Sequence, residues 1–259
     1  MVRTSAKSFP YFIEMDMSLN GKKIVVLGGT SGFGLATAQA AVREGAEIVI
    51  AGSRKERLDR AVATLPAHAE GVVLDVTQEA QVQEFFNGLG AFDHLVYTAG
   101  EKLHVEGIDT LSMALARRLF EVRYWGAFAA IKYGSRNIRP GGSIVLTSGG
   151  ISQRPRRGTS ATASMCGAME SLMRAMAVEL APIRVNLVRP GLAKTDLWDA
   201  MSPEARELMY GRAGETLPVG YVGEAADVAE AYLYLMRERF STGSIVVVDG
   251  GAALAQPKR

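Results

Sequence analysis

The stretch TSGGISQRPRRGTSATASMCGAMESL, Thr147 to Leu172, gathers the side chains of this 259-residue chain best suited to chemistry. It holds the hydroxyls of Ser148 and Thr162, the chain's single thiol at Cys166, and the cations Arg154, Arg156 and Arg157 in a Pro-containing loop. No Tyr, His or Lys accompanies them. A hydroxyl or thiol becomes a nucleophile beside a base, and none is visible here, so Cys166 reads as a small buried side chain on a helix. Three arginines in one loop could recognise an anionic substrate, or form a solvated loop that touches a neighbouring subunit. A second polar group, Glu101 and His104 in EKLHVEG, follows an apolar run. His68 and His94 have no partners at metal-ligand spacing, so no metal site is expected.

The elements that must position these groups alternate regularly. KKIVVLGG and AEIVIAG are short β-branched runs of the type buried parallel strands show, and the helix-like ATAQAAVREG lies between them. GVVLDV, FDHLVYTAG, GSIVLTSG, IRVNLVRPG and SIVVVDGG continue the rhythm, each separated from the next by a helical stretch. The expected fold is α/β: a single-domain, doubly wound parallel sheet of seven strands with helices on both faces and right-handed crossovers.

After the first strand, LGGTSGFG places Gly28, Gly32 and Gly34 at the opening of a helix, with Thr30, Ser31 and Phe33 between them. In that context glycines admit a pyrophosphate to the backbone, and the helix N-terminus offers it free N–H groups. A dinucleotide lacking a 2′-phosphate is held by an acid about 20 residues further on. Here AGSRKERL presents Ser53, Arg54 and Lys55 instead, which selects NADP(H) as cofactor. The alternative for Arg54 and Lys55 is a solvated helix start.

Composition narrows the remaining classes. Lys and Arg number 29 against 27 Asp and Glu, a formal charge of +2, too little for a nucleic-acid-binding stripe. A small molecule is the expected partner, with no nucleic acid and no membrane, since no apolar run reaches the roughly 18 residues of a membrane span. One cysteine allows no internal disulfide, and the N-terminus lacks a signal peptide's order of segments; a cytoplasmic location is expected. Residues 1–18 read as a flexible extension, or as lying upstream of a true start at Met15 or Met17, and residues 19–259 as one nucleotide-binding domain.

Taken together, these motifs resemble the short-chain dehydrogenase/reductase family over Asn20 to Gly251. LGGTSGFG is similar to the family's TGxxxGxG with Leu27 for Thr; LDV, with Asp75 and Val76, matches its adenine-contacting segment; YTAG, Tyr97 to Gly100, stands for NNAG. RVNLVRPG matches RVNxVxPG, and VDGG completes the set. The resemblance implies cofactor contacts from Asp75, Val76, Ala99, Gly100, Pro190, Gly191, Leu192 and Thr195, in addition to the first glycine loop, Ser53 and Arg54. It also implies a substrate lid over about 196–214, with Trp198, Met201, Met209 and Tyr210 as its apolar inner face. Assembly as a homodimer or homotetramer would use two long helices, here around Ala114 to Arg136 and Thr162 to Leu180.

The family's usual tetrad is Asn, Ser, Tyr and Lys. Aligned from both flanks without a gap, the Ser position falls on Gly149, the Tyr position on Thr162 and the Lys position on Cys166. FEVRYWGAF puts Arg123 at the Asn position. Thr162 is a far weaker acid than a Tyr activated by a neighbouring ammonium, and general acid catalysis is worth roughly 10²–10⁴-fold. The candidate catalytic residues are therefore Arg123, Ser148 and Thr162. Arg123 would bring a permanent cation with five donors, able to hold a carboxylate, an enolate or a developing oxyanion; the alternative is a surface Arg paired with Glu121 or Glu101. Tyr97 is expected to pack near the cofactor. The expected activity is hydride exchange between NADP(H) and a small, partly apolar carbonyl- or imine-type substrate without the Tyr/Lys pair. The alternatives are a non-redox isomerase, dehydratase or cyclase, or an NADP(H) sensor, on the same scaffold.

Overall fold

The computed structural model describes residues 18–101 and 105–255. The expected N-terminal extension, apart from Ser18, and His104 lie outside the described residues. The chain runs β1 (Lys23–Leu27), α1 (Gly32–Arg43), β2 (Glu47–Gly52), α2 (Lys55–Val62), β3 (Glu70–Val73), α3 (Glu79–Leu89), β4 (Phe92–Tyr97) and α4 (Met113–Phe120). A five-residue π-helical turn (Glu121–Trp125) then leads into α5 (Gly126–Gly134), β5 (Ile138–Thr147), α6 (Ser160–Glu179) and β6 (Arg184–Pro190). It closes with β7 (Ala193–Lys194), α7 (Pro203–Gly214), β8 (Gly223–Glu224), α8 (Ala225–Arg237) and β9 (Ile245–Val248).

Seven strands form one parallel sheet in the order β3-β2-β1-β4-β5-β6-β9; β7 and β8 make a separate two-residue pair beside the cleft. The strands are apolar on both faces because both faces are covered. Val25, Leu27, Leu95 and Ile144 point into a core closed by α3, α5 and α6; Ile24, Val26, Ile48 and Val145 point into a second core closed by α1, α2 and α8. The order reverses between β1 and β4, so the helices leaving these strands diverge and open a crevice at the carboxyl ends.

The helix expected over 114–136 is interrupted. At Glu121–Trp125 the i→i+4 pattern gives way to a π-turn, and Ser135–Asn137 close the segment as a 3₁₀ turn. The interruption is flanked by a bulky residue in the neighbouring strand, Tyr97, whose hydroxyl donates to the Val122 carbonyl inside the turn.

Most buried polar groups are matched. Arg184 donates to the Leu235 and Met236 carbonyls at the end of α8, at 2.9 and 3.0 Å. Asp93 accepts from the Lys23 amide and Arg139 at the amino edge of the sheet. His94, sealed between β4 and β5, sits 2.9 Å from the Ser143 hydroxyl.

Burial pushes the His94 pKa down from 6.5 to about 4, assisted by Arg184 and Lys22 and opposed by Asp93. A depressed folded-state pKa means that the unfolded chain takes up the proton first as pH falls. The His94 contribution is therefore complete above about pH 6.5 and is lost as pH drops towards 4, by about 3 kcal/mol. Urea unfolding of the wild type and His94→Asn at pH 7 and pH 4.5 should show the wild type losing more stability than the variant. Equal losses would refute the assignment.

Candidate active site

A cleft of about 1950 Å³ runs along the carboxyl edge of the sheet, over the β1–β4 switch point. Every cofactor-contacting residue expected from the sequence, from Gly28 to Thr195, lines it. At one end the β1–α1 turn lies against the segment following β4. Gly28 has a φ of +89°, and a Cβ there would drive into the Ala99 backbone; one on Gly34 would strike the Gly28 carbonyl and Thr98 Oγ1. No side chain caps the start of α1, so its first N–H groups are left for a ligand. Thr98 Oγ1 is 3.2 Å from the Leu27 and Gly28 carbonyls and ties the two segments together.

At the end of β2, Ser53 and Arg54 line the cleft, joined by Arg57 one turn into α2. Lys55, the other cation of that segment, turns away to Asp59 at 3.0 Å, as an i,i+4 pair on an exposed face. The cationic pair at this position is therefore Arg54 and Arg57, three residues apart on one side of the helix start. Asp75 closes the same end, its carboxylate accepting from the Thr77 amide and hydroxyl. These features fit a phosphorylated dinucleotide: a backbone cradle without Cβ atoms, uncapped amides, and two cations at the adenosine end.

The catalytic candidates are distributed unequally. Arg123, carried by the π-turn, lines the cleft and lays its guanidinium against Gly100, where a Cβ would fall 2.6 Å from Nη2. Nη2 donates to the Glu101 carbonyl at 2.9 Å, while Nε is buried and has no partner among the described residues. The Glu101 carboxylate pairs with Arg118 at 3.4 Å. Arg123 is thus no surface Arg paired with Glu101 or Glu121, but a cation held by backbone inside the site. Burial pulls its pKa down, against the opposing influence of Cys166, Tyr97 and Glu101 around it.

Ser148 also borders the cleft, but its hydroxyl is 3.2 Å from Glu170 Oε1, to which it donates. Thr162 is buried on α6 and is not among the described residues lining the cleft. Cys166 and Gly149 face each other there, since a Cβ on Gly149 would stand 3.4 Å from Sγ. Burial pushes the Cys166 thiol up to about 11, with Arg123 pulling the other way. Tyr97 is fully buried under this floor, and Tyr232 and the Tyr97 carbonyl each bond Thr147 Oγ1 at 2.7 Å.

Sequence reading alone missed the pair behind Ser148. Glu170 of α6 and Arg189 of β6 form a buried bidentate ion pair at 2.9 and 2.8 Å, and Glu170 also accepts from Ser152 at 2.6 Å. Burial opposes the Glu170 charge, yet Arg189 and the two serines hold its carboxyl below the usual value. No spacing rule announces this pair, because its members lie on different elements, 19 positions apart.

The segment expected as a lid is present as a 3₁₀ turn at Asp196–Trp198 followed by α7. Trp198, Met201 and Met209 line the cleft together with Leu208; Tyr210 does not, lying buried with its ring near Lys194. Trp198 is fixed by its indole N–H on the Ala193 carbonyl at 3.0 Å. Of the loop arginines, Arg154 and Arg156 border the cleft and Arg157 does not. Arg154 is committed to the Ala252 and Ala255 carbonyls, at 2.6 and 2.7 Å. His68 is exposed, and no group of metal-ligating side chains occurs among the described residues. No helix among them is long and apolar enough to cross a membrane.

The family described as enoyl-(acyl carrier protein) reductase matches residues 28–253. The chain belongs to the short-chain dehydrogenase/reductase family. It is 35% identical to the short-chain dehydrogenase/reductase ATR9 of Stachybotrys chlorohalonatus, over 92% of this chain and 99% of that protein. Among solved structures it is similar to a small-chain dehydrogenase in complex with NADPH, at 36% identity and a TM-score of 0.77, covering 91% of this chain and all of the other. The MalC reductase/Diels-Alderase of Malbranchea aurantiaca superposes with a TM-score of 0.86 at 28% identity, over 93% of this chain and 99% of that one. Members of this family use nicotinamide cofactors, and the glycine cradle described above is where such a cofactor fits.

With a thiol pKa of about 11, Cys166 is neutral throughout the working range of most enzymes. Its alkylation by iodoacetamide should rise about tenfold per pH unit from pH 7 to pH 10 without a plateau. A plateau near pH 7 would instead identify an activated thiolate.

Proposed function

We propose that the protein is an NADP(H)-dependent oxidoreductase that exchanges hydride with a partly apolar carbonyl- or imine-type substrate, without a Tyr/Lys acid–base pair. The observation that carries this reading is the partly buried Arg123 guanidinium, held by the Glu101 carbonyl in the cleft that the nucleotide cradle opens into. The bound nicotinamide supplies the hydride donor or acceptor. The chain's residues supply binding, orientation and charge: Arg54 and Arg57 take the 2′-phosphate, the α1 amides take the pyrophosphate, and Asp75 and Val76 border the adenine. Arg123 faces the charge that develops on the substrate heteroatom, in surroundings where water screens it weakly.

Proton delivery is the weak function of this site. Thr162 is an aliphatic alcohol away from the described lining, the Ser148 hydroxyl is committed as a hydrogen-bond donor to Glu170, and the Cys166 thiol is a poor acid. An iminium carbon accepts hydride without needing a proton, so a protonated imine bypasses the weak proton supply, whereas a carbonyl relies on Arg123 for the negative charge that develops on its oxygen. Trp198, Met201, Leu208 and Met209 favour an apolar body. Arg156 and Arg212 at the same rim favour a substrate with an anionic group. A second reading, a non-redox cyclase in the same cleft, is favoured by the similarity to a protein named as both reductase and Diels-Alderase. The reading includes a cytoplasmic homodimer or homotetramer, supported by the exposed apolar residues Met113, Trp125 and Val178 on the α4–α5 segment and α6.

Two outcomes are expected. Arg54→Ala/Arg57→Ala should weaken NADPH binding by roughly 10–100-fold, the worth of one or two charge-assisted bonds, and leave NADH binding unchanged, as read by fluorescence titration. Over a panel of imines, ketones and enones, NADPH oxidation should be fastest on preformed iminium ions, and on the ketones and enones it should fall by roughly 10²-fold in Arg123→Ala. Product formed with no change in NADPH absorbance would favour the cyclase reading, and equal turnover by Arg123→Ala would remove Arg123 from the chemistry.

A further inference from the structure

We infer that Tyr97 is a positioning residue for Arg123, its phenol latching the π-turn that holds the guanidinium in the cleft. This rests on the proposed role of Arg123 for its consequence in catalysis, but not for its geometry.

Four contacts make the case. A π-turn widens the helix by one residue and disturbs the hydrogen-bond ladder around it, leaving carbonyls in need of other donors. The Tyr97 hydroxyl supplies one to Val122, the residue immediately before Arg123. The phenol reaches that carbonyl only because position 126 is glycine: a Cβ on Gly126 would collide with Tyr97 Oη, and would also stand 2.9 Å from Val76 Cγ2. On the far side, the guanidinium lies flat against Gly100, where a Cβ would be 2.8 Å from Nη1, and donates to the next carbonyl, that of Glu101. Tyr97 and Gly100 belong to one short segment, YTAG, at the end of β4. This segment therefore grips the π-turn twice, once through a phenol below it and once through a bare Cα and carbonyl above it.

The latch is a fixed donor. Burial pushes the Tyr97 pKa above its ordinary value near 10, so the phenol is a proton-bearing donor at neutral pH. Its ring is among the largest fully buried side chains, packed with Ala127, Ala130 and Leu146 in the core beneath the site, so the hydroxyl cannot swing to water. Arg123 by contrast carries a buried Nε without a partner among the described residues. A cation in that condition stays in place only if its backbone is over-determined, and the Tyr97 bond is the constraint that sits nearest along the chain.

Cys166, the chain's single cysteine, reports on the arrangement independently of turnover, because Arg123 draws its thiol pKa down from what burial alone would impose. The test is a double-mutant cycle on alkylation of Cys166 at pH 9 by iodoacetamide, with Tyr97→Phe, Arg123→Ala and both together. Each single substitution should slow alkylation, by about threefold to tenfold, as the guanidinium leaves the thiol or is removed. The double variant should be no slower than Arg123→Ala alone. Wild-type alkylation in Tyr97→Phe alongside slowing in Arg123→Ala overturns the proposal, and so does an additive double variant, which would make Tyr97 act without Arg123. No slowing in Arg123→Ala overturns the placement of the guanidinium itself. If Tyr97→Phe does not fold, Gly126→Ala displaces the same phenol and carries the same expectations. With a turned-over substrate in hand, Tyr97→Phe should lower kcat more than it alters KM or NADPH affinity, and should add nothing in the Arg123→Ala background. A failure of the proposed chemistry is distinguishable: it would leave the alkylation cycle intact while Arg123→Ala turned over normally.

Discussion

The structure depends first on how closely the β1–α1 turn can approach the segment after β4. Gly28 sits against the Ala99 backbone and Gly34 against Gly28 and Thr98, with no room for a methyl group at either position. That approach closes the floor of the nucleotide cradle and fixes where the YTAG segment runs. It therefore fixes where Gly100 and Glu101 stand, and these are the groups on which the Arg123 guanidinium rests. Binding of the nucleotide and placement of the charge are two consequences of one backbone contact, each demanding glycine for a different neighbour.

Around that contact the electrostatics are set by burial. A tyrosine acid tuned by an ammonium would titrate near working pH. Here the groups in its vicinity are a neutral thiol, a phenol that keeps its proton, and a guanidinium that burial weakens without converting it into a useful acid. Nothing in this set changes its protonation state readily. On the function proposed above, such a site orients and polarises its substrate more readily than it moves protons.

The sheet was legible in the sequence because buried parallel strands are continuous apolar runs, and their alternation with helical periods allows few topologies. The nucleotide cradle was legible for a related reason: glycines that clear a close approach have no substitute, so their spacing survives as a pattern. Of the two alternatives for Lys55, the structure shows the solvated helix start, because side-chain direction there follows the i,i+4 partner, here Asp59, and Arg57 lines the cleft. The π-turn was invisible. EVRYW has ordinary helical periodicity, and the phenol that bonds inside the turn comes from a strand 25 residues before Val122. Arg123 could be read as a cation at a functional position, but its backbone acceptor and its bare Nε belong to tertiary structure.

The buried pair of Glu170 and Arg189 carries a consequence for how this protein can change. Each partner lies in an environment that tolerates a charge only because the other is there, so losing either one alone strands an ion in the interior, while replacing both by apolar residues of similar volume costs far less. Arg189 immediately precedes Pro190 in the cleft wall, and Glu170 also accepts from Ser148 at the end of the adjoining strand and from Ser152, so loss of either partner disturbs that one wall of the cleft. A single substitution at the pair is therefore felt in the cleft wall, whereas the α7 residues that line the cleft, Leu208 and Met209, carry no such buried charge.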